Sequence, residues 1–251
     1  MNKSHVELSR NPGNPFTSLH PGPFFMESRK KIAIIVAGGS GTRMQNAVPK
    51  QFLELAGKPV LYHSMAAFAG AYPDMQIVLV LPEAHFGYAD NLLQAFDSIP
   101  AVTIVKGGET RFHSVKNGLQ QVTGNAVVFV HDGVRPLVST SLIHTCYEAT
   151  LSHGSAIPVI DMKDSIREIT GNANAAVDRD RFKIIQTPQT FLSELILPAF
   201  DLPYDPLFTD EATVVERLGH TVHLVAGEEA NIKITKPLDL VVAASLLKIS
   251  K

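Results

Sequence analysis

Ile32-Ala33-Ile34-Ile35-Val36-Ala37-Gly38-Gly39-Ser40-Gly41-Thr42-Arg43-Met44, followed by Pro49-Lys50-Gln51-Phe52, decides how this chain is read. A continuous apolar, β-branched run is the mark of a strand buried on both faces of a parallel sheet. Here it ends in a glycine turn that delivers Arg43 and then Lys50. Glycine lets backbone approach an anion closely, and successive N–H groups of such a turn form a concave anion nest. Two cations beside the nest sit where charge builds up in phosphoryl transfer. The turn lacks the third glycine of the dinucleotide fingerprint, and Thr42-Arg43 stands where an ATPase-type loop needs Lys-Ser/Thr. The pattern therefore points to a nucleotide phosphate site of another kind.

Outward from this stretch, strands and helices alternate. Helices are expected over 59–71, with Pro59 in the first turn, and over 83–97. Strands are expected at 77–81, 102–105 and 126–130, the last ending at His131-Asp132. Val115, Leu119 and Val122 share one face of a helix between the last two strands. A helix over 141–153 and a strand near 155–160 continue the series. Residues 161–180 break it: they are polar, with a turn at Thr170-Gly171-Asn172, and suit a charged hairpin arm projecting from the body. The alternation resumes with Phe182-Lys183-Ile184-Ile185, a helix from Thr209, a strand at 221–226 and a helix opened by Pro237. This order implies an α/β fold with a doubly wound, mainly parallel sheet. Ligands of such a sheet lie outside the carboxyl ends of its strands, where both the glycine turn and Asp132 fall.

The chain has 251 residues and a net charge of -2. One domain over 29–251 with one projecting arm is the simplest organisation. No basic excess suggests a nucleic-acid partner. No apolar stretch reaches the ~20 residues that span a bilayer. The single cysteine, Cys146, allows no internal disulfide, fits a cytoplasmic location and reads as core packing. Residues 1–28 are polar and proline-bearing without periodicity, the pattern of a disordered extension, and Met26 is a candidate start.

Four further motifs accompany the glycine turn: Gly107-Gly108-Glu109-Thr110-Arg111 with Ser114; His131-Asp132-Gly133-Val134-Arg135-Pro136; Val177-Asp178-Arg179 before Gln186-Thr187-Pro188-Gln189; and Asn231-Ile232-Lys233-Ile234-Thr235. With them the chain resembles the sugar-phosphate nucleotidyltransferases and, within them, the 2-C-methyl-D-erythritol 4-phosphate cytidylyltransferase family, from about Lys31 to the C-terminus. The resemblance implies a Rossmann-like fold and a reaction in which CTP and a polyol phosphate give a CDP-alcohol and pyrophosphate with Mg²⁺. It also implies a homodimer through the 161–180 arm. The substrate's phosphomonoester, with a second pKa near 6, is its own nucleophile. No general base is then required, and positioning with charge stabilisation remains.

By the resemblance, Arg43, Lys50 and Lys233 are the catalytic cations. Ala37, Gly38, Gly39, Gly108, Ser114 and Asp132 hold the nucleotide, with Asp132 also the metal ligand. Arg135 and Thr187 meet the second substrate, while Ser165 and Arg179 reach it from the arm of a partner subunit; Arg111 braces its loop. Each has a plainer alternative on residue type alone: Lys50 a solvated lysine, Lys233 an outward strand residue, Asp132 a turn or helix cap, Arg135 a surface ion pair. The glycines have simple turn chemistry as theirs. Gly133-Val134 stands where the family commonly carries an alanine pair. The nearest competing activity is cytidylyl transfer to ribitol 5-phosphate, usually marked by Pro-Asn-Arg where this chain has Val177-Asp178-Arg179. A nucleotide-binding module without turnover is the reading from another class.

Overall fold

The apolar run forms β1 (Lys30–Val36), buried from Ile32 to Ile35. After it come the short strands β2 (Glu54–Leu55) and β3 (Lys58–Pro59), α1 (Val60–Ala71), β4 (Met75–Leu81), α2 (Phe86–Leu93) and β5 (Val102–Lys106). Next are α3 (Arg111–Leu119), β6 (Ala126–Asp132), α4 (Thr140–His153) and β7 (Ser155–Asp161). The hairpin β8 (Ile166–Thr170) and β9 (Ala173–Val177) follows, and then β10 (Lys183–Ile185), β11 (Gln189–Leu192), α5 (Ser193–Ala199), α6 (Glu211–Glu216), β12 (Leu224–Ala226) and α7 (Pro237–Ile249). This computed structural model describes residues 29–38, 48–96 and 101–249. The expected extension 1–28 and the turn residues Gly39 and Arg43 lie outside the described residues.

The main sheet runs β10-β7-β11-β6-β1-β4-β5, with β12 beside β7. β1 pairs parallel with β4 and β6, and β4 parallel with β5. β11 is antiparallel to both β6 and β7, so β6 and β7 point the same way, as does β12. The sheet is thus mainly parallel and wound on both faces. Ala33 and Ile35 pack towards α1, α2 and α4, whereas Ile32 and Ile34 pack towards α3, α5 and α6. Alternate residues of one strand serve two cores, which is why β1 is apolar at consecutive positions.

Several expected elements differ in extent or kind. The 83–97 helix is a 3₁₀ turn, Glu83–His85, followed by α2, which ends at Leu93; His85, the last residue of the turn, departs from α-helical geometry at φ -105° and ψ 3°. The helix placed from Thr209 starts at Glu211, because the Asp210 side chain caps it by accepting from the Thr213 N–H. The 221–226 strand is confined to β12. β11 and α5 were not expected: β11 is only four residues long and opens with polar Gln189 and Thr190, yet it is inserted between β6 and β7.

Strand register aligns the carboxyl ends that carry the site. Val36 of β1 stands beside Asp132 of β6 and Val80 of β4. Ala37 N–H donates to the Val80 carbonyl at 2.9 Å, Gly133 N–H to Val36 at 2.9 Å, and Gly107 N–H to Leu81 at 2.8 Å. A third apolar cluster, in which α7 packs on Leu55, Val60, Val134 and Ile234, brings the 231–235 segment to the same edge. The exposed β8–β9 hairpin occupies the place expected for the arm.

Candidate functional site

Asp132 ends a strand whose every residue is buried, and is itself 7% exposed. A carboxylate there needs charge partners, and it has three. Lys233 Nζ lies 2.9 Å from Oδ2, Arg111 Nη2 3.3 Å from Oδ1 and Arg135 Nε 3.6 Å from Oδ2. Burial pushes the Asp132 carboxyl upward, but Arg111, Lys233 and Arg135 outweigh it and hold the group well below the usual carboxylate range. Lys233 is not an outward strand residue: the 231–235 segment is irregular, tied to β6 by Ile234 N–H donating to the Val134 carbonyl at 2.9 Å. Lys50 Nζ donates to the Ile234 carbonyl at 3.1 Å, so both lysines attach to one segment.

The 107–111 loop is held by Ser114. Its hydroxyl donates to the Thr110 carbonyl at 3.0 Å and accepts from Gly108 N–H at 3.1 Å. Thr110 caps α3 through the His113 N–H. A Cβ on Gly108 would lie 2.4 Å from His113 Cβ, so this turn has room for glycine alone. The neighbouring Gln51, buried after Lys50, donates to the Ala37 carbonyl at 2.7 Å and fixes the start of the glycine turn.

On the other side of Asp132, Arg135 donates from Nη1 to the Asn231 carbonyl at 2.8 Å, and burial holds its pKa below the ordinary value. His131 is fully buried. Its Nε2 lies 3.2 Å from the Arg135 carbonyl, which can only accept, so Nε2 carries the proton. Nδ1 therefore accepts, and the Thr187 hydroxyl donates to it at 3.0 Å while accepting from Asp132 N–H at 3.1 Å. Asn231 Nδ2 donates to the Thr187 carbonyl at 2.9 Å, and Gln186 Nε2 to the Glu228 backbone carbonyl at 2.7 Å.

These groups surround two adjoining cavities. One, about 260 Å³, is lined by Ala37, Gly38, Lys50, Gly108 and Ser114; the other, about 290 Å³, by Arg135, Gln186, Thr187 and Gln189. Arg111, Asp132 and Lys233 line both and form the wall between them. Ser165 and Arg179 line neither cavity. Arg179, on the arm, donates to the Lys163 carbonyl at 2.5 Å and borders a separate hollow with Lys163 and Lys183.

One charged residue went unread in the sequence. Glu211, 1% exposed at the first turn of α6, pairs with Arg111 through both guanidinium nitrogens, Nη2 at 3.1 Å from Oε2. Its signal, Asp210-Glu211 after Thr209, looked like a helix start. Burial works against the charge on Arg111, but Glu211 and Asp132 outweigh it and hold the guanidinium above its ordinary range. Gln189 sets the position of Glu211: its amide donates to Asp210 at 2.8 Å and accepts from Ala212 N–H at 2.8 Å.

Comparison with known proteins places the chain in a family. Residues 31–249 match the family model of 2-C-methyl-D-erythritol 4-phosphate cytidylyltransferase. The protein of that name from Bacteroides thetaiotaomicron is 45% identical over 218 residues, 87% of this chain and 100% of the relative. That from Porphyromonas gingivalis is 47% identical over 221 residues, 87% of this chain and 98% of the relative. The crystal structure of the Thermus thermophilus cytidylyltransferase superposes with a TM-score of 0.70 at 30% identity, covering 88% of this chain and 100% of that one. The Francisella tularensis structure gives 0.71 at 31% identity over 86% and 98%. With its described core matched end to end by that model and by those relatives, this chain belongs to the 2-C-methyl-D-erythritol 4-phosphate cytidylyltransferase family.

Proposed function

We propose that this enzyme transfers the cytidylyl group from CTP to 2-C-methyl-D-erythritol 4-phosphate, releasing pyrophosphate, in non-mevalonate isoprenoid synthesis. The observation that carries the reading is the shared wall: two cavities, each with its own donors, meet at Asp132, Arg111 and Lys233. A reaction joining two phosphates needs two anion sites that touch at one cation-rich point.

In this reading the cavity at Ala37, Gly38, Gly108 and Ser114 takes the nucleotide, and Gly39 is assigned to the same ligand by the family resemblance alone. Backbone groups of the glycine turn and the Ser114 hydroxyl select the base, while Asp132 lies towards the ribose and triphosphate. Arg135 and Thr187 face the alcohol phosphate in the second cavity. An oxygen of that phosphate attacks the α-phosphorus, the bond to the β-phosphate breaks, and the electron pair leaves on pyrophosphate. Arg43, Lys50 and Lys233 stabilise the charge on the five-coordinate phosphorus. His131 is no base for this step: it is buried, and both ring nitrogens are engaged.

The donor set fits Mg²⁺. Among the described residues, no group of three or more His, Cys, Asp or Glu stands together. One carboxylate, Asp132, suits a cation that completes its shell with phosphate oxygens and water. Bound there, Mg²⁺ would neutralise triphosphate charge during transfer.

Arg179 and Ser165 are read as serving the site of a second subunit, because they lie on the arm and away from both cavities of their own chain. Exposed Phe182, Ile184 and Ile185 at the arm's root supply apolar surface for a homodimer. No described helix is long and apolar enough to cross a membrane, and burial pushes the Cys146 thiol up to about 12, which makes it a packing residue and not a nucleophile.

The test is pyrophosphate release from CTP with methylerythritol phosphate, with ribitol 5-phosphate, and with no alcohol. Release is expected with the first alone, and faster release with ribitol 5-phosphate overturns the assignment. In the same assay Lys50→Ala should lose about two or more orders of magnitude in turnover with an unchanged melting temperature.

A further inference from the structure

Among the described residues, Arg111 is the one cation of the wall that meets two carboxylates. Its Nε and Nη2 face Asp132 at 3.4 and 3.3 Å, and Nη1 and Nη2 face Glu211. The fork pairs bidentately with Glu211, the stronger arrangement. Glu211 is almost fully buried and lines neither cavity, so it touches no ligand held there. It is nevertheless anchored with care: Gln189 grips the N-terminus of α6 on both sides, and Phe112, next to Arg111, stacks on Phe200 and Phe208 at centroid distances of 4.8 and 5.6 Å. Gln189 of β11 thus fixes the start of α6, and the aromatic stack on the α5–α6 connection fixes the start of α3, on either side of this pair.

The charges explain the need. Asp132 faces Arg111, Lys233 and Arg135, a net positive surrounding that opposes the approach of a divalent cation. Burial pushes the Glu211 carboxyl upward, and the bidentate Arg111 guanidinium opposes this. As the paired carboxylate, Glu211 cancels one of those charges and draws the guanidinium's best hydrogen bonds away from Asp132. We propose that Glu211 is a positioning residue for metal-dependent nucleotide binding: by holding Arg111 it leaves the Asp132 carboxylate free to exchange a cationic side chain for the metal. This rests on the reading of Asp132 as the metal ligand. Partners of metal ligands are worth roughly 10- to 100-fold in affinity.

The test is CTP binding without any alcohol, measured by calorimetry in Mg²⁺ and again in EDTA. In the wild type the ratio of the two affinities reports the metal's contribution. Glu211→Gln should reduce that ratio about tenfold, while CTP affinity in EDTA stays equal or rises, since a negative charge has left a site that binds a polyanion. A general distortion would instead weaken CTP in both buffers by the same factor, and that result, or a wild-type ratio in Glu211→Gln, overturns the proposal. Arg111→Gln combined with Glu211→Gln removes both charges and should restore the ratio; failure to restore it in a variant with a wild-type melting temperature also overturns it. Asp132→Asn serves as reference: if its ratio equals the wild type's, the metal assignment fails and takes the proposal with it, whereas a lost ratio there and an unchanged one in Glu211→Gln sinks the proposal alone.

Discussion

His131 titrates in a way that can be followed through the whole protein's stability. Burial lowers its pKa from the ordinary 6.5 to about 4, against the pull of neighbouring Asp132. Between those values the unfolded chain binds a proton that the folded chain refuses, so stability rises with pH across the window and is lost as pH falls from 6.5 towards 4. At 1.36 kcal/mol per pKa unit the full effect is about 3 kcal/mol. His131→Gln retains an N–H for the Arg135 carbonyl and removes the titrating ring. Its denaturation free energy should lose this slope between pH 6.5 and 4, measured by urea unfolding at a series of pH values. Parallel curves for variant and wild type would refute a neutral, buried imidazole. The same residue scale holds what the sequence could and could not display. Asp132, Lys50 and Lys233 were legible as charged residues at motif positions. The partners of His131 were not, because a hydrogen bond from Thr187, 56 residues away, is made by packing β11 against β6.

Elements meet most tightly where β6 turns out of the sheet. A Cβ on Gly133 would lie 2.8 Å from Leu61 Cδ1 in α1, 3.1 Å from Ala37 Cβ and 3.2 Å from Ile35 Cγ2. This gives a packing reason for glycine at this position: the space a side chain would need is filled by Leu61 and Ala37. Gly133→Ala should cost about 1–3 kcal/mol, the usual range for overpacking, read as a lower melting temperature. Because Ala37 begins the glycine turn, CTP should also bind less tightly. A variant with unchanged stability would show that Leu61 yields freely. Element identity was legible wherever a run was long and periodic, as in β1, β4 and β6. It failed at β11, whose four residues carry no period of their own and take strand form only because β6 and β7 offer hydrogen-bonding edges on both sides.

At the scale of the molecule the arm carries the proposed assembly. In the proposed dimer Arg179 grips the alcohol phosphate in the neighbour's second cavity, so Arg179→Ala should raise KM for methylerythritol phosphate by about tenfold or more, as loss of a charge-assisted contact does. KM for CTP should change little, and the sedimentation coefficient should stay that of a dimer. Equal rises in both KM values would contradict the placement of Arg179 on the alcohol side, and a monomer in solution would remove the arm's proposed role.

The chain's local chemistry was sufficient for much of this. The consecutive apolar residues of β1, the glycine turn after it and the strand-helix alternation are properties of neighbouring residues, so the sequence by itself determined a wound, mainly parallel sheet with glycine-bearing loops at its carboxyl edge. Tertiary structure alone decided how charge is balanced there. Arg111 and Glu211 are 100 residues apart and meet because α3 and α6 pack on the same face of the sheet. Which carboxylate a buried guanidinium finds depends on that packing and on the desolvation it imposes, and neither is written in spacing along the chain.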